Sequence, residues 1–333
     1  MHLTPQAFVS IVTPVFNGDK YMQECIESVL AQTYTNWEYL IVNNFSTDRT
    51  LAIAEYYSQK DTRITVHNNE KFLSIVDNHN NAIRQISPES KYCKMLQADD
   101  LLLPDCVMQM VQLAQANPSV GAVGSYWIRG ERVSKGLPYP TNVISGRELC
   151  RSSLLSFEEI FSVPTTTLIR TDLIRTRDPF YNESILGMDK EAIYGILQDS
   201  DFGFVHQVLT YIRLHDERAS HQEYVITVMS LSRIHIIKKY GPIYLNTKEF
   251  QTVLRKAWKN YYGILAKNLT LLRKKQVRAK MRKTFEDLGI SFSVLKLLIA
   301  CLSRVSDHLL NPKNSAEKLI RRISKKIKNF DQE

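Results

Sequence analysis

Short apolar runs rich in β-branched residues alternate with stretches of helical periodicity along the first part of the chain. Strands are predicted at residues 8–14, 38–42, 64–66, 92–96 and 120–125. A first helix is predicted after a capping Asp19, with apolar residues at helical spacing from Met22 to Leu30. Further helices are predicted at residues 48–58, 73–86 and 104–116, the last with Pro104 in its first turn. This order predicts an α/β fold in which helices cover both faces of a mostly parallel central sheet.

Polar clusters follow three of the predicted strands. They are Asn17-Gly18, Asn43-Asn44 and Asp99-Asp100. Ligands of open α/β sheets bind beyond the carboxyl ends of the strands. We therefore expect the three clusters to line one edge of the sheet and to form a ligand site there.

The adjacent carboxylates of Asp99 and Asp100 admit two interpretations. Like charges at this spacing repel and raise each other's pKa, so a cation is expected to join them. A magnesium ion held by one or two carboxylates and by substrate phosphates would meet that need. Alternatively, the pair caps the helix that follows at Pro104, which requires no function. The spacing alone leaves both interpretations open.

Two residues farther along the chain are also open to a functional or a structural interpretation. Asp189 precedes a helical stretch and, taken alone, fits a helix cap or a surface acid. His215 follows an alternating strand pattern and is a candidate ligand of a metal or a phosphate, although a lone histidine is usually neither. Spacing along the chain does not bring either residue to the acidic pair.

Five blocks of sequence together resemble one known family. They are residues 9–17 (VSIVTPVFN), 41–50 (IVNNFSTDRT), 97–100 (QADD) with Pro104, Asp189, and 211–215 (YIRLH). In this order and at this spacing they resemble a family-two inverting glycosyltransferase of the GT-A fold, across about residues 8–220. The resemblance implies a Rossmann-like sheet that binds a nucleotide-sugar donor.

The resemblance implies a donor site made of five residues. Phe16 corresponds to the residue that packs against the nucleotide base, and Asn44 to the residue that reads the base edge. Asp99 belongs to the DxD-type motif that holds the ribose and the metal. Pro14 and Gln97, which lie in the matching blocks, complete the implied donor site.

The resemblance also implies a metal site and a catalytic base. Asp99 and Asp100 would hold Mg²⁺ or Mn²⁺ on the donor diphosphate, with His215 helping to hold the metal or the diphosphate. Asp189 corresponds to the base that takes the proton of the acceptor hydroxyl, a contribution of roughly 10²–10⁴ in rate. One base and direct attack imply inversion at the anomeric carbon. The implied reaction moves a sugar from an NDP-sugar, UDP-linked, to a saccharide or lipid-linked saccharide in polysaccharide biosynthesis.

Three positions depart from the family pattern. Asn43-Asn44 stand where paired acids are usual, Gln97 where the first acid of the motif is common, and Met188 where a glutamate is often found. The asparagines keep carbonyl acceptors for a base N–H. These departures keep open a catalytically silent relative that binds a nucleotide. A nucleotidyltransferase is a weaker alternative, because it would show a glycine-rich phosphate loop after the first strand, where only Gly18 is found.

Composition restricts the compartment. Of the 333 residues 44% are hydrophobic, which suffices for a buried core, and the five cysteines are scattered and never form a CxxC pair. We interpret them as reduced thiols. The first seven residues lack the pattern of an export signal, and the apolar stretch at 292–302 is too short to cross a bilayer. These features predict a cytoplasmic protein.

The net charge of +9 is unevenly distributed. Residues 223–333 carry 24 Lys and Arg against 8 Asp and Glu, a net charge of +16, whereas the remainder carries −7. Apolar stripes flanked by cations at 292–310 and 315–330 are typical of helices that lie on a membrane. We therefore predict peripheral association with the cytoplasmic face of the inner membrane, with solvation or packing on the catalytic domain as alternatives. A nucleic-acid partner is not expected, because no basic platform interleaved with aromatics is present.

The predicted organisation has three parts. Residues 1–125 form the nucleotide-sugar-binding half of the GT-A domain, and residues 126–220 form its acceptor-binding and catalytic half. Residues 221–333 form a basic helical region.

Overall fold

The computed structural model describes residues 6–156, 160–161, 164–182, 187–214 and 225–310. These residues form two compact units. The first lies within Met1–Ala219 and includes Ile236–Phe250. The second lies within Ser220–His235 and Gln251–Glu333.

The first unit is built around a single sheet of ten described strands. They are β1 (Val9–Val15), β2 (Trp37–Asn43), β3 (Ile64–Asn68), β4 (Tyr92–Met95), β5 (Leu101–Leu102), β6 (Val120–Arg129), β7 (Arg132–Val133), β8 (Val143–Ile144), β9 (Thr167–Arg170) and β10 (Asp201–Tyr211). The strand order is β3-β2-β1-β4-β9-β6-β10-β5, with β7 on β6 and β8 on β10.

Most of the long strands run in one direction. β1 pairs in parallel with β2 and β4, β2 with β3, and β6 with β10. β9 is antiparallel to both β4 and β6, and the short strands β5, β7 and β8 are antiparallel to their partners. The predicted mostly parallel sheet is confirmed, and the five strands predicted within residues 1–125 are all present.

Helices pack on the sheet in the order that the sequence predicts. Those that lie wholly in the first unit are α1 (Asp19–Leu30), α2 (Thr50–Ser58), α3 (Ile75–Arg84), α4 (Cys106–Ala116), α5 (Gly146–Ser156), α6 (Thr171–Arg175) and α7 (Met188–Ile196), and a short 3₁₀ helix spans Pro164–Thr166. All seven residues of β1 are buried, and the buried face of α1 includes Met22 and Ile26. Burial on both faces explains the continuous apolar run of this strand.

One predicted helix cap and three predicted helix starts differ from the structure, because α2, α3 and α4 begin two residues later than predicted, at Thr50, Ile75 and Cys106. The N-cap of α1 is Gly18, so Asp19 is the first helical residue. α4 begins at Cys106, two residues after Pro104, because Thr33 donates from its backbone N–H to the Pro104 carbonyl at 2.9 Å and holds that residue outside the helix. Differences of one or two residues at helix ends leave the elements themselves unchanged.

The end of the described chain is helical, as predicted. Its helices are α8 (Val225–Tyr244), α9 (Thr247–Lys267), α10 (Lys275–Asp287) and α11 (Val294–Leu310), with a 3₁₀ helix at Leu269–Arg273. The second predicted amphipathic segment, at residues 315–330, lies outside the described residues. None of the helices described is both long enough and apolar enough to span a bilayer.

Candidate donor and catalytic site

Strands β1, β2 and β4 end side by side at one edge of the sheet. β1 is parallel to both neighbours, with Val15 at the end of β1 beside Asn43 at the end of β2. The segments that follow these strands carry Phe16, Asn44 and residues 97–100. The topology therefore confirms that the three predicted clusters lie at one edge.

The loops after β1 and β2 are joined by side-chain hydrogen bonds. Asn17 accepts from the backbone N–H of Thr47 at 2.8 Å and donates its own N–H to the Ser46 hydroxyl at 3.0 Å. The carboxylate of Asp48 accepts from the backbone N–H of Asp19 at 3.0 Å. Asn17 has a φ of 49°, a region that asparagine tolerates better than most residues. These bonds fix the loop that carries the predicted base-packing aromatic.

Asn44 is buried and its amide is bound to the protein. Its Oδ1 accepts from the backbone N–H of Leu73 and its Nδ2 donates to the Leu73 carbonyl, both at 2.9 Å. A third bond, from Asn69 Nδ2, reaches Asn44 Oδ1 at 3.0 Å. The side chain of Asn44 thus binds both the N–H and the carbonyl of Leu73, as an adjacent strand does in a sheet. These bonds position residues 69–74. That Asn44 also reads the base edge stays a prediction.

A network of neutral amides surrounds Asn44. Its further bonds join Asn43 to Asn68 at 2.6 Å, Asn69 to Asn78 at 2.8 Å, and Asn81 to Asn69 at 2.8 Å. Amides satisfy buried polar groups without bringing charge into the fold. Asparagine is a poor helix former, so the run of asparagines within α3 is the sequence signal that indicates such a network.

Three aromatic side chains are exposed beyond this edge. Phe16, Phe45 and Phe72 are 47%, 51% and 57% exposed. The rings of Phe16 and Phe72 meet edge to face, with centroids 4.8 Å apart. Phe45 has a φ of 60°, a conformation that is costly for a bulky residue and is often found near functional sites. The sequence predicts only Phe16, because isolated phenylalanines in loops follow no period.

Asp100 is fully buried and is held by two other parts of the chain. Its Oδ2 accepts from the Thr165 hydroxyl at 2.8 Å, and its Oδ1 accepts from the backbone N–H of Arg213 at 3.2 Å. The Thr165 hydroxyl in turn accepts from the backbone N–H of Gln97 at 3.1 Å. Asp100 therefore ties the acidic motif to the start of β9 and to the end of β10.

A cation lies beside the acidic motif. Arg213 Nε donates to the backbone carbonyl of Asp99 at 3.2 Å, and the guanidinium pairs with Glu24 at 2.5 Å and lies 4.7 Å from the centre of the Tyr21 ring. The guanidinium thus binds the backbone of the acidic motif, and its charge is paired with Glu24. Arg213 comes from the YIRLH block, but its role is not evident from sequence spacing.

The helix-capping interpretation of the acidic pair is wrong. β5 separates the pair from α4, and the N-cap residue of α4 is Asp105. Asp99, in contrast to its neighbour, is partly exposed at the edge of the sheet. It is the member of the pair that a ligand can reach.

A buried histidine orients Gln97. His79 of α3 lies with Nδ1 2.7 Å from the Ile75 carbonyl, which only accepts, so Nδ1 carries the proton. Its Nε2 then accepts from Gln97 Nε2 at 3.0 Å. Burial lowers the pKa of His79 to about 4, against the opposing effect of the two hydrogen bonds, so the ring is neutral at pH 7. This arrangement leaves the side-chain oxygen of Gln97, Oε1, as the acceptor that a ligand can use.

Asp189 lies near the end of β4. It is the second residue of α7, and it lines a small pocket with Met95, the last residue of β4, and with Tyr181. The other lining residues are Phe161, Pro164, Thr167, Ile169, Phe180, Ala192 and Ile193. The structure therefore brings Asp189 close to the strand that leads into residues 97–100, which sequence spacing does not.

The segment before α7 is fixed by α3. Asn80 is buried, and its amide accepts from the backbone N–H of Tyr181 at 2.8 Å and donates to the Tyr181 carbonyl at 2.9 Å. The Tyr181 ring also contacts the His79 ring, with centroids 6.0 Å apart. One helix thus positions the pocket beside Asp189 and the amide of Gln97.

Comparison with known proteins identifies the family. Residues 10–177 match the model for Glycosyl transferase family 2, which is half of the chain. The chain belongs to this family. An uncharacterized glycosyltransferase from Haemophilus influenzae is 28% identical over 183 residues, which cover 53% of this chain and 55% of the relative. This family-two chain thus spans about half the length of that relative.

Solved structures share the fold. The S. aureus TarS fragment 1–349 in complex with UDP aligns with a TM-score of 0.59 and 16% identity, over 84% of this chain and 79% of that one. The mannosyltransferase PcManGT from Pyrobaculum calidifontis, in complex with GDP-Man and Mn²⁺, aligns with a TM-score of 0.53 and 14% identity, over 88% and 86%. This family-two chain therefore has the GT-A fold, as the sequence resemblance implies.

A buried carboxylate anchors α7 of this family-two chain. Glu191, two residues after Asp189, is fully buried and accepts from Arg177 Nη2 at 3.1 Å, from Lys239 Nζ at 2.5 Å and from the Tyr240 hydroxyl at 2.5 Å. Hydrogen bonds from Lys239 and Tyr240 and the charge of Arg177 outweigh the effect of burial and lower the pKa of Glu191. This role of Glu191 is not evident from the sequence.

The metal-binding prediction rests on few ligands. The described part of the chain contains no group of three or more His, Cys, Asp or Glu side chains arranged to hold a metal ion, and His215 lies outside it. Asp99 offers a partly exposed hard oxygen donor, which fits Mg²⁺ or Mn²⁺ when substrate phosphates complete the coordination. Asp100 and His215 as ligands stay predictions.

Proposed function

We propose that this chain is an inverting glycosyltransferase that moves a sugar from a UDP-sugar to the hydroxyl of a saccharide acceptor. The observation that carries the proposal is that Asp189 lines a pocket with Met95, the last residue of β4, while residues 97–100 and the exposed Phe16 follow β4 and its parallel neighbour β1. Membership in Glycosyl transferase family 2 supports it. The reaction pathway we propose is polysaccharide biosynthesis.

The donor base stacks on the aromatic side chains in this proposal. Phe16 and Phe72 present a partly exposed pair of rings, and stacking of a base on an aromatic ring contributes about 1–3 kcal/mol. Asn44 shapes the base pocket together with Pro14 of β1, which lies beside Val42 of β2. The Gln97 carbonyl and the Asp99 carboxylate accept hydrogen bonds from the ribose. A UDP donor is favoured by the likeness to TarS, which was solved with UDP.

The proposed chemical step uses Asp189 as the base. A carboxylate oxygen of Asp189 takes the proton of the acceptor hydroxyl while the hydroxyl oxygen forms a bond to the anomeric carbon. The bond between that carbon and the donor diphosphate breaks, and its electron pair leaves with the nucleoside diphosphate. Attack from the face opposite the leaving group inverts the configuration. Residues 126–220, which include α7, form the acceptor side.

A divalent cation belongs to the proposal as a cofactor. Mg²⁺ or Mn²⁺ bound at Asp99 would stabilise the charge that develops on the leaving diphosphate. The mannosyltransferase PcManGT was solved with Mn²⁺. Asp100 supports Asp99 from the buried side. With so few protein carboxylates available, we expect the ion to bind well only together with the nucleotide.

The acceptor we propose is a saccharide or a lipid-linked saccharide. A lipid-linked acceptor is presented at a bilayer, and the net charge of +16 over residues 223–333 favours an anionic surface. Peripheral association with the cytoplasmic face of the inner membrane is therefore part of the proposal.

The test measures release of nucleoside diphosphate from a panel of UDP- and GDP-sugars, with and without Mn²⁺. We expect turnover with a UDP-sugar, and a fall in kcat of at least about 10²-fold in Asp189→Asn. The matched control is Asp199→Asn, because Asp199 is an exposed acid that follows the same helix. Equal kcat values in the two variants would refute the role of Asp189.

The same experiment decides between the enzyme and a silent relative. Asn44 and Gln97, whose amides are bound within the protein, are the features that favour the silent relative. Binding of UDP without turnover of any donor, over a panel of saccharide and lipid-linked acceptors, would establish that alternative.

A further inference from the structure

Within the described part of the second unit, α11 contacts α9 along one of its sides. The backbone N–H of Ser293, just before α11, donates to the Tyr262 hydroxyl at 2.8 Å. Arg304 Nη1 donates to the Ala266 carbonyl at 2.9 Å, and the Lys296 ammonium lies 5.4 Å from the centre of the Trp258 ring. These contacts with α9 fix which face of α11 is turned inward.

The opposite face of α11 is apolar and exposed. Six side chains on it are each 55–68% exposed: Val294, Leu295, Leu298, Ile299, Leu302 and Val305. Their spacing places all of them on one side of the helix. A helix of a soluble domain normally turns such a stripe toward the core, and a contiguous exposed patch of this kind marks an interaction site.

Charge decides between the surfaces that could cover this face. Residues 251–310 carry 13 Lys and Arg against 3 Asp and Glu, and residues 311–333 carry 7 against 3. A second copy of this unit, or the remaining segment of the chain, would therefore bring further positive charge to a cationic unit. An anionic bilayer offers negative charge and an apolar interior together.

We propose that the exposed face of α11, hereafter the α11 face, inserts into the interface of an anionic bilayer. This inference names the contact surface for the membrane association within the proposed function. The leucine, isoleucine and valine side chains enter the boundary between headgroups and acyl chains, and the helix lies in the plane of the membrane. The cations of the second unit supply attraction over the range of a Debye length.

The test is co-sedimentation of the full-length protein with vesicles. One set mixes phosphatidylglycerol with phosphatidylcholine, and the other contains phosphatidylcholine alone. The parent protein should bind the anionic set and should release as salt is raised. The Leu298→Ser/Leu302→Ser variant should bind at least about tenfold more weakly, because two exposed side chains lose their transfer into the membrane. Both leucines are exposed, so the fold should be retained, and circular dichroism checks this.

The matched control substitutes exposed apolar residues of the first unit. Val133→Ser/Tyr139→Ser should bind the anionic vesicles as the parent protein does. Equal binding of the parent and the α11 variant would overturn the proposal, as would a parent protein that does not bind. A parent dimer that becomes monomeric in the α11 variant, without vesicle binding, would show that a second copy covers the face.

The outcome is separable from that of the catalytic proposal. The α11 face contains none of the residues assigned to the donor or catalytic site. Sugar transfer to a soluble acceptor should therefore be unchanged in Leu298→Ser/Leu302→Ser. A parent protein that binds the anionic vesicles but transfers no sugar to any acceptor would count against the catalytic proposal alone.

Discussion

Replacing Glu191 by glutamine removes a buried negative charge while keeping the shape of the side chain. The carboxylate is fully buried and accepts from Arg177, Lys239 and Tyr240 at 3.1, 2.5 and 2.5 Å. Glutamine has one acceptor oxygen in place of two, and it turns an amide N–H toward groups that are themselves donors. We therefore expect Glu191→Gln to lower the free energy of unfolding.

The exposure of the partners sets the size of the effect. Removing one member of a fully buried ion pair costs about 3–5 kcal/mol, whereas exposed pairs contribute about 0–1 kcal/mol. The side chains of Arg177 and Lys239 are 25% and 44% exposed, so both cations can regain water once Glu191 is neutral. The loss at pH 7 should lie between these limits, at about 2–3 kcal/mol, which corresponds to a fall in Tm of roughly 4–12 °C.

The stability difference between the parent and Glu191→Gln should depend on pH in a definite direction. The pKa of Glu191 is lowered in the folded protein. A carboxyl group with a lowered folded pKa contributes stability that is complete above its unfolded pKa and is lost as the pH falls through the folded pKa. The unfolded pKa of glutamate is about 4.3. The difference between the parent and Glu191→Gln should therefore be full at neutral pH and should shrink below about pH 4.

Urea unfolding at pH 7 and at about pH 3.5 measures both quantities, with the exposed Glu131→Gln as the control. A difference in unfolding free energy below about 0.5 kcal/mol at pH 7, or one that is the same at both pH values, would refute the reasoning.

Gly195→Ala tests the same ion-pair anchor in another way, because its Cβ would lie 2.1 Å from Arg177 Nη1 and would displace the guanidinium. If the anchor positions Asp189, both variants should lower kcat and leave the donor KM unchanged.

Three further predictions address the amide network, the aromatic pair and the core. Asn44→Asp should lower the free energy of unfolding in urea by about 1–3 kcal/mol, because a carboxylate oxygen would face the Leu73 carbonyl in place of an N–H. An unchanged stability would contradict the hydrogen bond between Asn44 and Leu73. Phe72→Ala should weaken UDP binding, measured by calorimetry, by roughly five- to tenfold, while Tyr56→Ala, at a similarly exposed residue, should leave it unchanged. Equal UDP affinities of the parent and Phe72→Ala would exclude Phe72 from the base site. Lys94 is fully buried and burial lowers its pKa, so Lys94→Met should raise stability at pH 7 by about 1–3 kcal/mol. That gain in stability should shrink as the pH rises toward about 10.4, because the unfolded lysine then also loses its proton. Urea unfolding at two pH values measures the gain, and a gain that is the same at both would contradict the prediction.

The elements that build the sheet edge could be predicted because each is specified locally. β1 reads as a short apolar run that is buried on both faces, and the helix after it has its apolar residues on one side. Parallel strands bring their carboxyl ends to one edge, so the positions of Phe16, Asn44 and Asp99 at that edge follow from the strand order. The resemblance to a known family contributed the expectation that Asp189 belongs to the same site.

The hydrogen-bond partners of the site residues could not be predicted, because they come from distant parts of the chain. Asp100 is bound by Thr165 and Arg213, which lie 65 and 113 positions away. Whether an acid after a strand faces a ligand or the protein interior depends on such partners and not on its neighbours in sequence. The same is true of Asn44, whose amide is used by the backbone of a loop 29 residues farther along.

The hydrogen-bond partners of Asp100, Gln97 and Asn44 explain how this edge of the sheet can be built with fewer acids than the family pattern has. Asp100 is buried and fastens β4 to β9 and β10, so its carboxylate has a structural task that would persist without any ligand. Gln97 and Asn44 are neutral and are oriented by His79 and by a backbone amide. Asp99 is then the acid of the motif that faces outward, beside the Arg213 guanidinium. Fewer carboxylates at the edge mean less repulsion toward an incoming diphosphate, and they also mean a weaker hold on a metal ion before the diphosphate arrives. In the function we propose, the neutral residues at positions 44 and 97 would therefore act in the same direction, toward a site that binds nucleotide and metal together.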